Sequence, residues 1–179
     1  MFRQLSSSPR ARRAATRRTR LDHVVDAAGE ELADETNVVA ADAVELALGA
    51  LRYRDLSEEE LARKLEARGV AGEERAEAVE TLRRTGLLDD LRFAQGKGAA
   101  LASRGASDAL IRESLRRAGV AADVLEQVVQ ELEPEAERAR AVVARRGASP
   151  RTARYLAAKG FSSETIQGVI ASESHDALG

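Results

Sequence analysis

An all-α protein is what this sequence calls for: three tandem three-helix repeats stacked into an elongated curved array, behind a disordered basic N-terminal arm. Three observations carry that expectation. The string apolar-x-x-Arg-x-x-Ser occurs three times, at Leu51–Ser57 (LRYRDLS), Leu101–Ser107 (LASRGAS) and Val143–Ser149 (VARRGAS). A second string follows each copy, KLEARGV, SLRRAGV and YLAAKGF, and the three align on Gly69, Gly119 and Gly160. Aromatic residues make up only 3% of the 179, and alanine is abundant. Small side chains suit close helix–helix approach, whereas a β-sandwich draws on Val, Tyr and Phe.

Residues 1–41 hold Ser6-Ser7-Ser8-Pro9, then an arginine run, then an acidic stretch from Asp22. Apolar periodicity is slight there, so the segment reads as a largely disordered arm, with room for one short helix near Leu21 to Leu32. Order is expected from Asp42.

In the first repeat (42–88), Val44, Leu48 and Leu51 recur at helical spacing and the helix stops near Arg54. Ser57 caps a second helix, and Glu60 three residues on completes a capping box. Leu61 and Leu65 face inward before Gly69, which suits the left-handed turn at a helix C-terminus. A third helix, with Ala76, Val79 and Leu82 inward, ends at Gly86.

The second repeat (89–133) reuses this grammar. Leu91, Ala94 and Leu101 mark its first helix, Ser107 caps the next, and Ile111 and Leu115 face inward before Gly119. Val124, Leu125, Val128, Val129 and Leu132 form the cleanest apolar stripe in the chain. In the third repeat (134–172), Pro134 opens a helix carrying Ala139, Val142 and Val143. Ser149 caps the next, with Pro150 at its first position. Leu156 faces inward, Gly160 ends that helix, and Ser162 caps a last one bearing Ile166, Val169 and Ile170. Residues 173–179 read as a tail. Each repeat is too small to bury its apolar faces alone, so neighbours are expected to stack.

Charge narrows the function. Lys and Arg number 28 against 30 Asp and Glu, a formal net charge of −2. Arg3, Arg10, Arg12, Arg13, Arg17, Arg18 and Arg20 crowd into the first twenty residues. That leaves 21 basic against 30 acidic groups elsewhere, about −9. Attraction to nucleic acid must therefore come from local patches rather than a whole-molecule field. The absence of cysteine excludes disulfides and thiolate chemistry and fits a reducing cytoplasm. No apolar run reaches membrane-span length.

No catalytic, metal or cofactor site assembles. Asp89 and Asp90 are the one evident carboxylate pair; they lack nearby histidine and read as helix caps. His23 and His175 fall in the expected arm and tail. Gly96-Lys97-Gly98 follows no strand and lacks the spacing of a phosphate-binding loop. The expectation is a non-enzymatic monomer that acts by contact.

The contact candidates are cationic. Arg54, Arg104 and Arg146 repeat at the ends of first helices, where an arginine offsets the negative end of the dipole or meets a partner. From Leu91 to Ala118, Arg92, Lys97, Arg104, Arg112, Arg116 and Arg117 face only Asp108 and Glu113. From Pro134 to Ser172 seven basic groups, among them Arg145, Arg146, Arg151, Arg154 and Lys159, oppose three acidic ones. Two readings stand: solvated helix faces, or a basic inner surface suited to phosphates or an acidic protein groove. No aromatics interleave with these basics, which argues against base stacking.

Certain residues also carry a resemblance. Leu51-x-x-Arg54-x-x-Ser57-x-x-Glu60-Leu61-x-x-Lys64-Leu65, then Gly86-Leu87-Leu88-Asp89-Asp90-x-x-Phe93-Ala94, resembles the RecX family of bacterial regulatory proteins, as does Tyr155-Leu156-x-x-Lys159-Gly160-Phe161-Ser162. The likeness spans about Asp42 to Ser172. It implies three tandem three-helix repeats and a protein that binds the RecA–DNA filament; direct contact with DNA is a separate expectation that rests on the basic patches. The likeness further implies restraint of filament growth, ATP hydrolysis, strand exchange and the co-protease activity that cleaves LexA.

Overall fold

The computed structural model describes residues 42–176, with side chains through residue 173. All regular structure among them is helical: α1 (residues 42–51), α2 (Glu58–Glu66), α3 (Gly72–Arg84), α4 (Asp90–Ser103), α5 (Asp108–Arg117), α6 (Ala122–Glu131), α7 (Glu135–Arg146), α8 (Pro150–Ala158) and α9 (Ser163–Asp176). The expectations for residues 1–41, including the short helix near Leu21 to Leu32, and for the side chain of His175 lie outside the described residues.

Helix starts follow local chemistry. The side chains of Ser57, Ser107 and Ser149 accept the N–H of Glu60, Leu110 and Thr152 at 3.0, 3.1 and 3.2 Å. Asp89 accepts from Arg92 at 2.9 Å, and Ser162 from Thr165 at 3.0 Å. Each such cap contributes about 1 kcal/mol. The expected capping box at Ser57 is half formed. The Glu60 carboxylate turns to Arg54 (2.7 Å) and Lys97 (3.5 Å), because those cations sit beside it.

Three expectations are corrected. α1 buries Ala43, Ala47 and Ala50, with Val44 and Leu51 at the edge, while Leu48 is 39% exposed. The alanines share one helix face and let the backbone approach closely, and Leu48 falls about 100° away from Ala47. In α3 the inward pair is Ala78 and Leu82, one turn apart, and Ala76 is exposed. α9 runs to Asp176, four residues into the expected tail. Ser172 does not stop it, since its hydroxyl donates back to the Val169 carbonyl at 3.0 Å.

Three buried clusters form, each enclosed by three consecutive helices. Leu56, Leu61, Leu65, Leu82 and Leu88 lead the first; Phe93, Ile111, Leu115, Leu125 and Val128 the second; Val142, Val143, Leu156 and Phe161 the third. Gly98 lets α4 close onto α6, since a Cβ there would meet Val128 at 3.0 Å.

The groups join through the strings that repeat. Ser57 Oγ donates to the Ala118 carbonyl at the end of α5, and the Glu58 N–H donates to Asp90 Oδ1 at 2.8 Å. At the second joint the Ser107 N–H donates to the Lys159 carbonyl at the end of α8 (3.0 Å), and the Asp108 N–H to Glu135 Oε2 (3.3 Å). The positive end of one second helix thus meets the negative end of the next, α2 on α5 and α5 on α8. Gly119 and Gly160 permit the contact: a Cβ there would overlap Glu59 or press on Ser107 Oγ. Arg138, 3% exposed, secures the second joint by donating to the Ala106 carbonyl (2.7 Å) and to the Asp108 carboxylate. The third copy differs. The residue after Ser149 is Pro150, which has no N–H to offer, and Ser149 is half-buried where Ser57 and Ser107 are fully covered.

Candidate docking groove

The second joint does more than hold two helical groups together. By seating α5 on the end of α8, it brings the last turns of α4, α7 and α8 around one depression of about 490 Å3. Ser103 and Arg104 line it from α4 and its cap, Val142, Arg145 and Arg146 from α7, and Tyr155 and Lys159 from α8 and its cap. The Arg146 guanidinium stands 4.1 Å from the Tyr155 ring centroid and the Lys159 ammonium 5.6 Å from it. Cations over an aromatic face are held by the ring quadrupole without losing their charge. Among the described residues no carboxylate lies within 4.0 Å of the charged atoms of Arg104, Arg145, Arg146 or Lys159. Arg145 spends only its Nε, on the Ala141 carbonyl at 3.1 Å.

The depression beside the first joint, about 340 Å3, is neutralised instead. There Lys97 meets Glu60, Arg117 meets Glu113 at 2.7 Å, and Arg63 pairs with Glu59 while donating to the Arg117 carbonyl at 3.0 Å. A larger depression of about 590 Å3 along α1 balances Asp42 and Glu45 against Arg52 and Arg68. Of these three depressions, the second-joint groove alone carries one sign of charge.

Of the remaining basic candidates, Arg54, Arg92, Arg112, Arg116 and Arg117 are engaged in place, while Arg151 and Arg154, outside the groove, also meet no carboxylate among the described residues. Arg92 bonds the Gly86 and Leu87 carbonyls, both at 3.1 Å, and so closes the turn after α3. Arg112 grips Glu126 across α5 and α6 at 2.9 and 3.1 Å. That hydrogen bond raises the arginine pKa and holds Glu126 below the ordinary carboxyl value. Arg116 and Arg117 both bond Glu113 at 2.7 Å, and Arg117 first, then Arg116, depresses its pKa. Arg154 returns its Nε to the Pro150 carbonyl at 3.2 Å, and Arg151 is exposed. Arg54 lies beyond the end of α1 and pairs with Glu60 of α2, so it does not cap α1 as its sequence position suggested. Phe93 is buried beneath Lys97, whose ammonium is 5.0 Å from the ring centroid.

Asp89 caps α4, whereas Asp90 belongs to the first joint through the Glu58 N–H. Burial pushes the pKa of Asp90 up, with the charges of Asp89 and Glu60 adding to the rise; Glu58 is raised by burial and then by Asp90. Two contributors escaped the sequence reading. Tyr155 entered there only through the family resemblance, and Arg138 only as a unit of charge. Arg138 stands one turn before Val142 on the inward side of α7, which is the signal that it is buried. Among the described residues no group of His, Cys, Asp and Glu is arranged to hold a metal ion, and no helix is long and apolar enough to cross a membrane.

No protein-family model matches the chain. Over 136 residues, 68% of its length, it is 36% identical to the regulatory protein RecX of Trichlorobacter lovleyi, of which it covers 88%. The chain belongs to the RecX family. The RecX of Halorhodospira halophila is 33% identical over 148 residues, covering 76% of this chain and 92% of that one. The crystal structure of RecX from Lactobacillus salivarius superposes with a TM-score of 0.65 over 77% of this chain and 98% of that one, at 16% identity. A second RecX crystal structure gives 0.63 at 22% identity. At those identities the structures speak for the fold, and the all-helical RecX fold is what this chain shares with them. By that kinship it is a RecX-type regulatory protein.

Proposed function

We propose that this RecX chain binds the RecA–DNA filament and restrains its ATPase, strand-exchange and co-protease activities, acting in the cytoplasm with the groove between α4, α7 and α8 as a docking point. One observation carries the choice of site: Arg104, Arg145, Arg146 and Lys159 present four cations together without carboxylate partners. Exposed charges of one sign steer a complementary partner and set register. The groove supplies one such contact, and weak contacts from the other stacked helical groups add to it when they engage simultaneously.

The test is DNA-dependent ATP hydrolysis by RecA with added full-length chain. The native protein lowers the rate, and Arg104→Glu/Arg146→Glu restores it while far-ultraviolet helicity stays unchanged. No inhibition at several-fold molar excess would sink the proposal. The seven arginines of residues 1–20 favour a second reading, direct competition for DNA. A chain lacking residues 1–20 separates the two: inhibition persists if the filament is the target and disappears if DNA is.

A further inference from the structure

We infer that the groove between α4, α7 and α8 takes a short acidic protein segment, with carboxylate side chains as the recognised groups, rather than a nucleic-acid strand. The inference rests on the filament-docking reading for its biological partner, but its chemistry stands on the groove alone. The charge of the walls is complementary to carboxylates: Arg104, Arg145, Arg146 and Lys159 line a space of about 490 Å3 that no acidic residue lines. Arginine offers a planar fork that pairs a carboxylate through two parallel hydrogen bonds. Tyr155 and Val142 give the lining an apolar part, so the site suits a chain in which acidic and apolar side chains alternate.

Three features speak against a polynucleotide. The positive surface does not continue along the stack, because the first-joint depression is neutralised by Glu60 and Glu113. Strand binding gains with every phosphate neutralised and needs a track. The Arg146 guanidinium lies 4.1 Å from the Tyr155 ring centroid, so a base would have to displace it to stack on that side of the ring. Beyond residue 20 the chain carries about −9, a far field that repels a long polyanion and leaves a short acidic segment to local attraction.

The experiment is fluorescence anisotropy with the full chain at low salt. One probe is a labelled dodecapeptide in which glutamate alternates with alanine and leucine; the other is a labelled twelve-nucleotide oligo-dT strand. The native chain binds the peptide, and Arg104→Glu/Arg146→Glu weakens it about tenfold or more, as expected for removing charge-assisted bonds. Arg116→Glu/Arg117→Glu, whose arginines sit on Glu113 outside the groove, leaves peptide affinity unchanged. A peptide with lysine in place of glutamate binds the Arg104→Glu/Arg146→Glu chain better than the native one, which guards against loss by misfolding. Oligo-dT binding that falls with the groove substitutions while peptide binding does not would overturn the inference in favour of nucleic acid. Peptide binding insensitive to the substitutions, or absent, would reduce the groove to a solvated cluster of helix ends. RecA ATPase is read separately on the same variants. Inhibition that survives when peptide binding is lost defeats the filament-docking site and leaves the groove chemistry intact.

Discussion

Gly69, Gly119 and Gly160 share a left-handed backbone, with φ of +83°, +83° and +86°, yet they do different things. A Cβ on Gly69 would meet nothing within 4 Å among the described residues, while one on Gly119 would overlap Glu59. Gly69→Ala therefore costs only the backbone term, about 1–2 kcal/mol. Gly119→Ala adds the displacement of α2 against α5, a further ~1–3 kcal/mol of overpacking. Urea unfolding midpoints of the two variants give this ordering directly, and equal losses would show that the joint has slack.

At the scale of the helices, the two joints differ in their response to acid. Asp90 and Glu58 at the first joint both have raised pKa values, so the folded state favours their protonated forms. Their contribution to stability is fully present below the ordinary carboxyl pKa and is lost as pH rises through the folded values. Asp90→Asn keeps an acceptor for the Glu58 N–H and removes the charge. The variant is expected to be more stable than the native chain at neutral pH and to match it in acid, where both side chains are uncharged. Thermal unfolding between pH 3 and 7 checks the sign. Glu113, Glu126 and Glu131 run the opposite way: lowered by hydrogen bonds from Arg117, Arg112 and Gln127, they lend stability above the ordinary value and lose it as pH falls. The difference between variant and native chain isolates Asp90 from them. How much of these helices was legible follows from the same residues. α6 could be read because Leu125, Val128 and Val129 repeat at helical spacing. The inward face of α1 could not, because alanines carry little hydrophobic signal and Leu48 beside them carries much. The groove was half legible: its basic residues stand in the sequence, but which ones stay unpaired depends on distant carboxylates. Arg112 finds Glu126 fourteen positions away, and Arg138 finds Asp108 thirty positions away.

For the whole molecule, the three helical groups act together only through their joints. Arg138 crosses the second joint almost fully buried, and among the described residues its Nε has no hydrogen-bond partner. Breaking a buried pair costs about 3–5 kcal/mol, and here toward the lower end because the Asp108 side chain is 25% exposed. Arg138→Ala should lose about 3 kcal/mol and unfold in two steps, α7–α9 first, since stacked units are coupled chiefly to their neighbours. A single cooperative transition at reduced denaturant would instead mean that the cores, and not this arginine, couple the groups. Pro150 sets the opposite limit. At each inner joint the residue after the serine lends its amide to an acidic side chain of the following group, and a proline has no amide hydrogen to lend. The third string is thus short of one handhold: a further helical group laid against it would miss the amide-to-carboxylate bond that both inner joints make.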